Sequence, residues 1–343
     1  MKSLRKIVLL VCLVCCVFGC SKNAEKSNEK SVAVFVPGVV SGNPVYEMLV
    51  SGVEKACSEA TENQGKVELT VVEAGTNQAG WSEKLTALAS SGKYDAIVSS
   101  NPSLPALVEP LTEQFPNVKW LLLDGYMAGN PNVATLRYNQ REQGYIAGYV
   151  AGLVTTSSMD YANADKKIAL IAAQEYPVMN EVILPAFAEG AAAVDPSITV
   201  EFKVVGSWAD PEKASELAKA LYKDGVDVIL PICGAGSQGV IAAAKELGFY
   251  ITWFDDNGYS KAPGYVVSST IMKQEQAAYE VTKNYLEGKT EFGSAKTVGI
   301  KDGYVSFVDD DINFTTWVDK SVQEKILAEY GKIVSGELEI SYP

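Results

Sequence analysis

The sequence has no histidine among its 343 residues. That removes a Ser-His-Asp triad, a histidine general base and every histidine-containing zinc site. Serine–lysine and carboxylate chemistry stay formally open. Cysteine is scarce where it could matter. Four of the six cysteines fall within the first 20 residues, and only Cys57 and Cys233 lie beyond them. Two separate cysteines make no disulfide framework, and buried free thiols are the better reading. Basic residues are in deficit, 29 Lys and Arg against 42 Asp and Glu. An acidic chain is a poor partner for nucleic acid, whose phosphates demand a basic surface. Long apolar runs are also missing. The longest, Ile7–Phe18, is shorter than the roughly 20 residues that span a bilayer.

What is present begins with an export signal. Lys2, Arg5 and Lys6 precede the apolar run, which ends at Val17-Phe18-Gly19-Cys20-Ser21. A basic start and a short apolar stretch mark a cleaved leader. A small residue followed by cysteine resembles a bacterial lipobox, with Phe18 bulkier than usual. Cleavage would then leave Cys20 as the lipid-bearing first residue. The alternative is ordinary signal-peptidase cleavage nearby, with Cys20 irrelevant. Loss of residues 1–19 removes three basic residues and no acidic one, leaving 26 against 42. Ser21–Lys30 is polar or charged except for Ala24, so residues 20–30 read as a flexible tether.

From Ser31 the pattern alternates. Val32–Val36, Val67–Val72, Ala96–Val98 and Trp120–Leu123 read as short buried strands. Between them, Val45–Thr61, a stretch around Trp81–Ala89, and Pro105–Phe115 carry apolar residues at helical spacing. After a break the alternation restarts. Strands are expected at Ile168–Ala173, Thr199–Val205, Val228–Pro231 and Tyr250–Phe254, with helices at Asn180–Val194, Pro211–Asp224 and Ser237–Leu247. Asp210 caps the second of these helices, with Pro211 in its first turn. Strand alternating with helix implies α/β architecture: two doubly wound, Rossmann-like lobes joined by a hinge. The halves echo each other. Trp120-Leu121-Leu122-Leu123-Asp124-Gly125-Tyr126 resembles Trp253-Phe254-Asp255-Asp256-Asn257-Gly258-Tyr259. The expected division is 31–138, with part of 272–292, for the first lobe and 139–271, with 293–343, for the second.

A ligand is expected where the strand ends of the two lobes face each other. The loops there are rich in Gly, Asn and aromatics, which suits a neutral, polar, planar ligand better than a catalytic dyad. Asn77 and Gln78 lie in one such loop, Tyr176 in another, and Gly234 in a third that suits close backbone approach. Asn43 could bond a ring carbonyl or cap the following helix. Asn101 and Ser103 could bind ligand or form a turn. Asn139 and Gln140 lie at the interlobe crossing, as hinge or ligand residues. Asp255 and Asp256 are the strongest carboxylate cluster. Calcium is an alternative there, but the loop is too short for an EF-hand, and charge-assisted bonds to hydroxyls are the better reading. Trp208, between a strand and a helix, is read as a stacking ring, whereas Tyr46 could stack on ligand or pack beneath its helix.

The order and spacing of several pieces resemble the basic membrane protein family, bacterial substrate-binding lipoproteins with the type I periplasmic-binding fold. The pieces are Tyr138–Gly144, Asp210–Ala214, Gly225–Ile229, Gly234–Val240 and Ser269–Lys273, and the resemblance runs from about Val32 to the C-terminus. It implies a lipid-anchored, extracytoplasmic solute-binding component of an ABC-type importer, monomeric, with a permease as partner and no cofactor. The family includes purine nucleoside receptors. By that resemblance Tyr46 and Trp208 replace two stacking phenylalanines, Asp255 or Asp256 is the ribose-binding acid, and Lys273 helps hold the ligand. The first loop, Ser41–Tyr46, lacks the family's acid. That absence and the larger rings favour riboflavin over a purine nucleoside. A hydrolase acting on nucleosides or flavins through Asp255 or Asp256 is the rival class.

Overall fold

The structure is a computed structural model that describes residues 29–63 and 65–343. The leader, Cys20 and nearly all of the expected tether therefore lie outside the described residues.

The first lobe follows the expected alternation. Strand β1 (Lys30–Val36) leads to α1 (Pro44–Asn63), β2 (Val67–Glu73), α2 (Trp81–Ser90), β3 (Ala96–Ser100), α3 (Leu104–Gln114), β4 (Lys119–Leu123) and β5 (Val133–Tyr138). The chain then crosses into α4 (Gln140–Thr155), β6 (Lys167–Ala172), α5 (Leu184–Val194), β7 (Thr199–Val204) and α6 (Pro211–Lys223). The second lobe continues through β8 (Val226–Ile232), α7 (Ser237–Leu247), β9 (Tyr250–Trp253) and β10 (Val266–Met272). It then returns through α8 (Gln274–Leu286) and β11 (Ala295–Val298) and crosses once more to β12 (Val305–Phe307), α9 (Ile312–Trp317) and α10 (Lys320–Ser335).

Each lobe is built on one six-stranded sheet, ordered β11-β5-β4-β3-β1-β2 in the first and β12-β10-β9-β8-β6-β7 in the second. The assigned ladders are parallel except β10 with β12, which is antiparallel. Parallel strands covered on both faces should be apolar throughout, and β1 obeys this. Val32, Val34 and Val36 pack in the cluster that includes Leu49 and Val53 of α1. Ala33 and Phe35 point to the opposite face, with Leu85 of α2 and Leu104 of α3.

The expected placement of 293–343 in the second lobe needs correction. Residues Ala295–Val298 form an edge strand paired with Thr135–Tyr138 of the first lobe. The switch to the second lobe comes only at 299–304. The stretch β5–α4 was not read as elements for a physical reason. Helix α4 is buried around almost its whole circumference, so it shows no polar stripe from which helical periodicity is read.

The packing of α4 on α5 is set by glycine. A Cβ on Gly148 would lie 1.9 Å from the Phe187 carbonyl oxygen, and one on Gly190 would lie 2.0 Å from that of Tyr145. Neither obstacle is a flexible side chain, so only backbone movement could relieve it. Gly148→Ala should therefore destabilise the protein by about 1–3 kcal/mol, the usual cost of overpacking. A lowered urea midpoint with unchanged slope is the expected reading; an unchanged midpoint would show that the helices separate freely.

Candidate functional site

Parallel topology places the carboxyl ends of both sheets, and the loops that follow them, around the gap between the lobes. Three crossings bound this gap: Tyr138–Gln140, Met272–Gln274 and 299–304. They are tied together. The Tyr138 hydroxyl donates to Gln274 Oε1 at 2.6 Å. The backbone N–H of Asn139 donates to the Val298 carbonyl at 2.7 Å, and that of Lys273 to the Tyr304 carbonyl at 2.8 Å. The Ile300 N–H donates to Glu142 Oε2 at 2.7 Å.

Two carboxyls meet in the gap. Asp124 directly follows β4 and Asp255 is the second residue after β9, the equivalent strand of the second sheet. Both take a left-handed backbone, with φ of 53° and 74°. Aspartate tolerates this conformation better than most residues, but it remains uncommon outside glycine. Burial pushes the Asp255 carboxyl up to about 7, Asp256 adds to the rise and the Gln143 amide opposes it. Burial also raises Asp124 well above the ordinary range, and the charge of Asp255 raises it further. One oxygen of Asp255 is buried without a hydrogen-bond partner, as are both polar atoms of the Gln143 amide. Buried polar atoms in a native fold are nearly always satisfied, and here the Gln143 amide and Asp255 lie close enough for the amide to lower the acid.

Aromatic rings border the carboxyls. Tyr46 packs against Gly38, where a Cβ would come within 2.7 Å of its ring. Its hydroxyl donates to the Pro37 carbonyl at 3.0 Å. Burial pushes this phenol up to about 12, against an opposing hydrogen bond with Asn101, and Asp124 adds to the rise. In the second lobe, Tyr176 and Trp208 lie with ring centroids 6.2 Å apart at 43°. Burial raises the Tyr176 phenol, and both Asp124 and Asp255 act in the same direction. Trp208 is 38% exposed, unusual for so large a ring. A Cβ on Gly234 would sit 3.4 Å from Trp208 Cε3, and the Gly234 φ of +57° also suits glycine.

The remaining residues expected at the site divide clearly. Gln140 sits at the first crossing, with its Nε2 3.7 Å from Met272 Sδ, and it lines a cavity of about 520 Å³ together with Asp124 and Tyr138. Lys273 follows directly on Met272, whose N–H donates to the Asp255 carbonyl. Asp256 is a correction: its carboxylate accepts from Trp253 Nε1 at 2.6 Å and pairs with Lys261 at 3.0 Å, so it serves its own loop. Asn77 caps the turn at Gln78–Gly80, beyond the outermost strand β2, and Asn77 and Gln78 are both exposed at the rim. The side-chain oxygen of Asn43 accepts from the Tyr46 N–H at 3.3 Å, the helix-capping alternative. Asn101 Oδ1 accepts from the Ser103 N–H at 2.9 Å, the turn alternative for that pair. Asn139 is buried and donates to the Ile340 carbonyl at 2.9 Å, a structural tie at the hinge.

Sequence reasoning missed Asp124 and Gln143 as site residues. Asp124 was visible within the internal echo, but matching tryptophan to tryptophan set it opposite Asn257 instead of Asp255. Among the described residues no group of His, Cys, Asp and Glu is arranged to hold a metal ion. Cys57 and Cys233 are buried and unpaired, with burial pushing their thiols up to about 11 and 12.

Two doubly wound lobes, three crossings and a polar gap at the strand ends define the type I periplasmic-binding fold. The family model described as "ABC transporter substrate-binding protein PnrA-like" matches residues 29–342. The chain belongs to that family. It is 26% identical over 313 residues to Basic membrane protein A of Borreliella burgdorferi, covering 89% of this chain and 87% of the relative. Basic membrane protein A2 of Borrelia garinii is also 26% identical, covering 89% and 88% of the two chains. A crystal structure of an ABC transporter solute-binding protein from Aeropyrum pernix superposes with a TM-score of 0.78 at 19% identity, covering 92% of this chain and 94% of that one. A transcriptional activator of the comK gene from Bacillus halodurans shares the fold at a TM-score of 0.68 and 22% identity, covering 90% and 99%. Fold alone therefore does not define the task.

The buried acids set a pH dependence. Asp255 and Glu142 are pushed up to about 7 and Asp227 to about 6, in each case chiefly by burial. Between about pH 4 and 7 the folded chain then holds protons that the unfolded chain has released. Stability from these groups is fully present below the unfolded carboxyl range and falls as pH rises through the folded values. Calorimetry on ligand-free protein should show Tm declining from pH 5 to pH 7.5, with a shallower decline in Asp255→Asn. A Tm that climbs over this interval would show that the carboxyls are ordinary.

Proposed function

We propose that this protein captures a neutral, flat heterocycle bearing hydroxyl groups and presents it to an ABC permease without altering it. The observation that carries this reading is the pair Asp124 and Asp255, two acids from opposite lobes raised by burial, with one Asp255 oxygen lacking a hydrogen-bond partner. A cation could neutralise them, whereas hydroxyl and ring N–H donors satisfy their acceptor oxygens without adding charge and let the pair's geometry select a shape. Such bonds to a carboxylate are among the strong ones. Tyr176 and the exposed face of Trp208 would supply the flat surface.

A purine nucleoside is the first reading. The sequence argument against a ribose was the lack of an acid in the first loop, and Asp124 supplies an acid to the first lobe from a different loop. A purine ring and a ribose can each present donors, one to each lobe. Riboflavin is the second reading, favoured by the wide indole of Trp208, which matches a three-ring ligand. Lys273, next to Asp255 through the crossing, would hold the polyol in either case. The proposed setting is extracytoplasmic, with the mature chain anchored by lipid on Cys20. No helix among the described residues is long and apolar enough to cross a membrane.

Titration calorimetry with inosine, guanosine and riboflavin separates these readings, and binding of none would sink both. Trp208→Ala should weaken the ligand by about 1–3 kcal/mol through lost burial and stacking. Asp124→Asn should cost about 1.5–3 kcal/mol, the range for hydrogen bonds to a charged group. Conversion of nucleoside or flavin to product on long incubation would favour the hydrolase class instead.

A further inference from the structure

The chain makes a fourth connection between the lobes, and this one is not covalent. Helix α10 belongs to the second lobe, where Tyr145 of α4 donates its hydroxyl to Glu329 at 2.7 Å. The helix ends at Gly336, which takes a left-handed φ of 79°. The tail then turns back, with the Leu338 N–H donating to the Lys332 carbonyl at 3.0 Å. It runs to the hinge, where the buried Ile340 offers its carbonyl to Asn139 Nδ2 at 2.9 Å. It finishes on the first lobe. The ring of Tyr342 lies 3.7 Å from the Arg137 guanidinium carbon, whose other face meets the ring of Tyr126 at 4.1 Å. Arg137 is on β5, and its Nε donates to Thr297 Oγ1 of β11 at 2.8 Å, so the guanidinium is anchored to the first lobe independently of the tail.

Tyr342 also walls the cavity of about 520 Å³ that Asp124, Tyr138 and Gln140 line, with Val178 of the second lobe opposite. This cavity is the flank of the interlobe gap. We propose that residues 337–343 form a strap that closes this flank over a bound solute and holds the lobes together, with the Tyr126–Arg137–Tyr342 stack as its latch. An arginine between two aromatic faces suits such a latch. It is planar, always charged and weakly hydrated, so it stacks well yet releases at small cost. The part of the proposal that concerns solute rests on the cleft being the binding site; the part that concerns the lobes does not.

The test uses a chain starting at Ser21, without the leader cysteines and Cys20, with spin labels on cysteines introduced by Lys93→Cys and Lys223→Cys, both exposed and one on each lobe. The native Cys57 and Cys233 are buried. Electron–electron distance measurements on ligand-free protein, in Tyr342→Ala and in a chain ending at Glu339, should show the widely separated population rising about 2–5-fold, the effect of losing one such stack. Tyr342→Phe keeps the ring but loses the hydroxyl's bond to Arg137 and should fall between the wild type and Tyr342→Ala, and Arg137→Lys should behave like Tyr342→Ala. Stopped-flow release of inosine should quicken by the same factor. Distances in Tyr342→Ala and the shortened chain that match the wild type would overturn the strap. If inosine fails to bind the wild type, the nucleoside reading falls and the distances still decide.

Discussion

Two carboxyl groups enclosed between separate halves of one chain are the constraint around which this molecule is arranged. A carboxylate in a poorly solvated place gains proton affinity from burial and from a neighbouring like charge; burial raises both Asp124 and Asp255, and the charge of Asp255 raises Asp124 further. A protein gains nothing in stability from such a pair. Leaving it in place makes physical sense only if donors from another molecule complete it. The same unmet demand is repeated in the Gln143 amide beneath. On the proposed function, a ligand that meets it would bond to both lobes at once and so would favour whichever arrangement brings both acids to the same molecule.

The rest of the fold serves that geometry. Parallel sheets aim their carboxyl ends at the gap, and the left-handed turns at Asp124 and Asp255 bend each carboxyl out of its strand line. Glycines at Gly148 and Gly190 lock α4 to α5 with backbone in contact, giving the second lobe a rigid base beside the hinge. The crossings are short and mutually hydrogen-bonded, so motion between lobes is confined to few residues. Such a design separates stiffness within lobes from freedom between them.

Much of this was legible from residue patterns. Strands such as Val32–Val36 and helices such as that opened by Asp210-Pro211 declare themselves through burial runs and caps, and the two-lobe α/β plan follows from their alternation. The crossings were not legible as elements. Helix α4 has no exposed stripe, and β11 pairs with a strand 160 residues earlier, a contact that no local pattern encodes. At the site, the exposed Trp208 and the enclosed Asp255 are residues that sequence reasoning had singled out. Asp256, beside it, looked equivalent but is consumed by Trp253 and Lys261. Which of two adjacent acids faces a cleft depends on a single backbone torsion, and the left-handed turn at Asp255 has no unambiguous signature when the residue is not glycine. Asp124 was hidden differently. Matching tryptophan to tryptophan sets Asp124 opposite Asn257, whereas the feature Asp124 shares with Asp255 is a left-handed backbone just beyond β4 and β9.

The most direct measurement is the carbon-13 NMR titration of the aspartate carboxyls in ligand-free protein, with Asp124→Asn and Asp255→Asn used for assignment. The account predicts that Asp255 titrates near 7 and that Asp255→Asn lowers Asp124 from its raised value, because the neighbouring charge that adds to the rise is gone. Ordinary carboxyl titration near 4 for both groups, unaffected by either substitution, would contradict it.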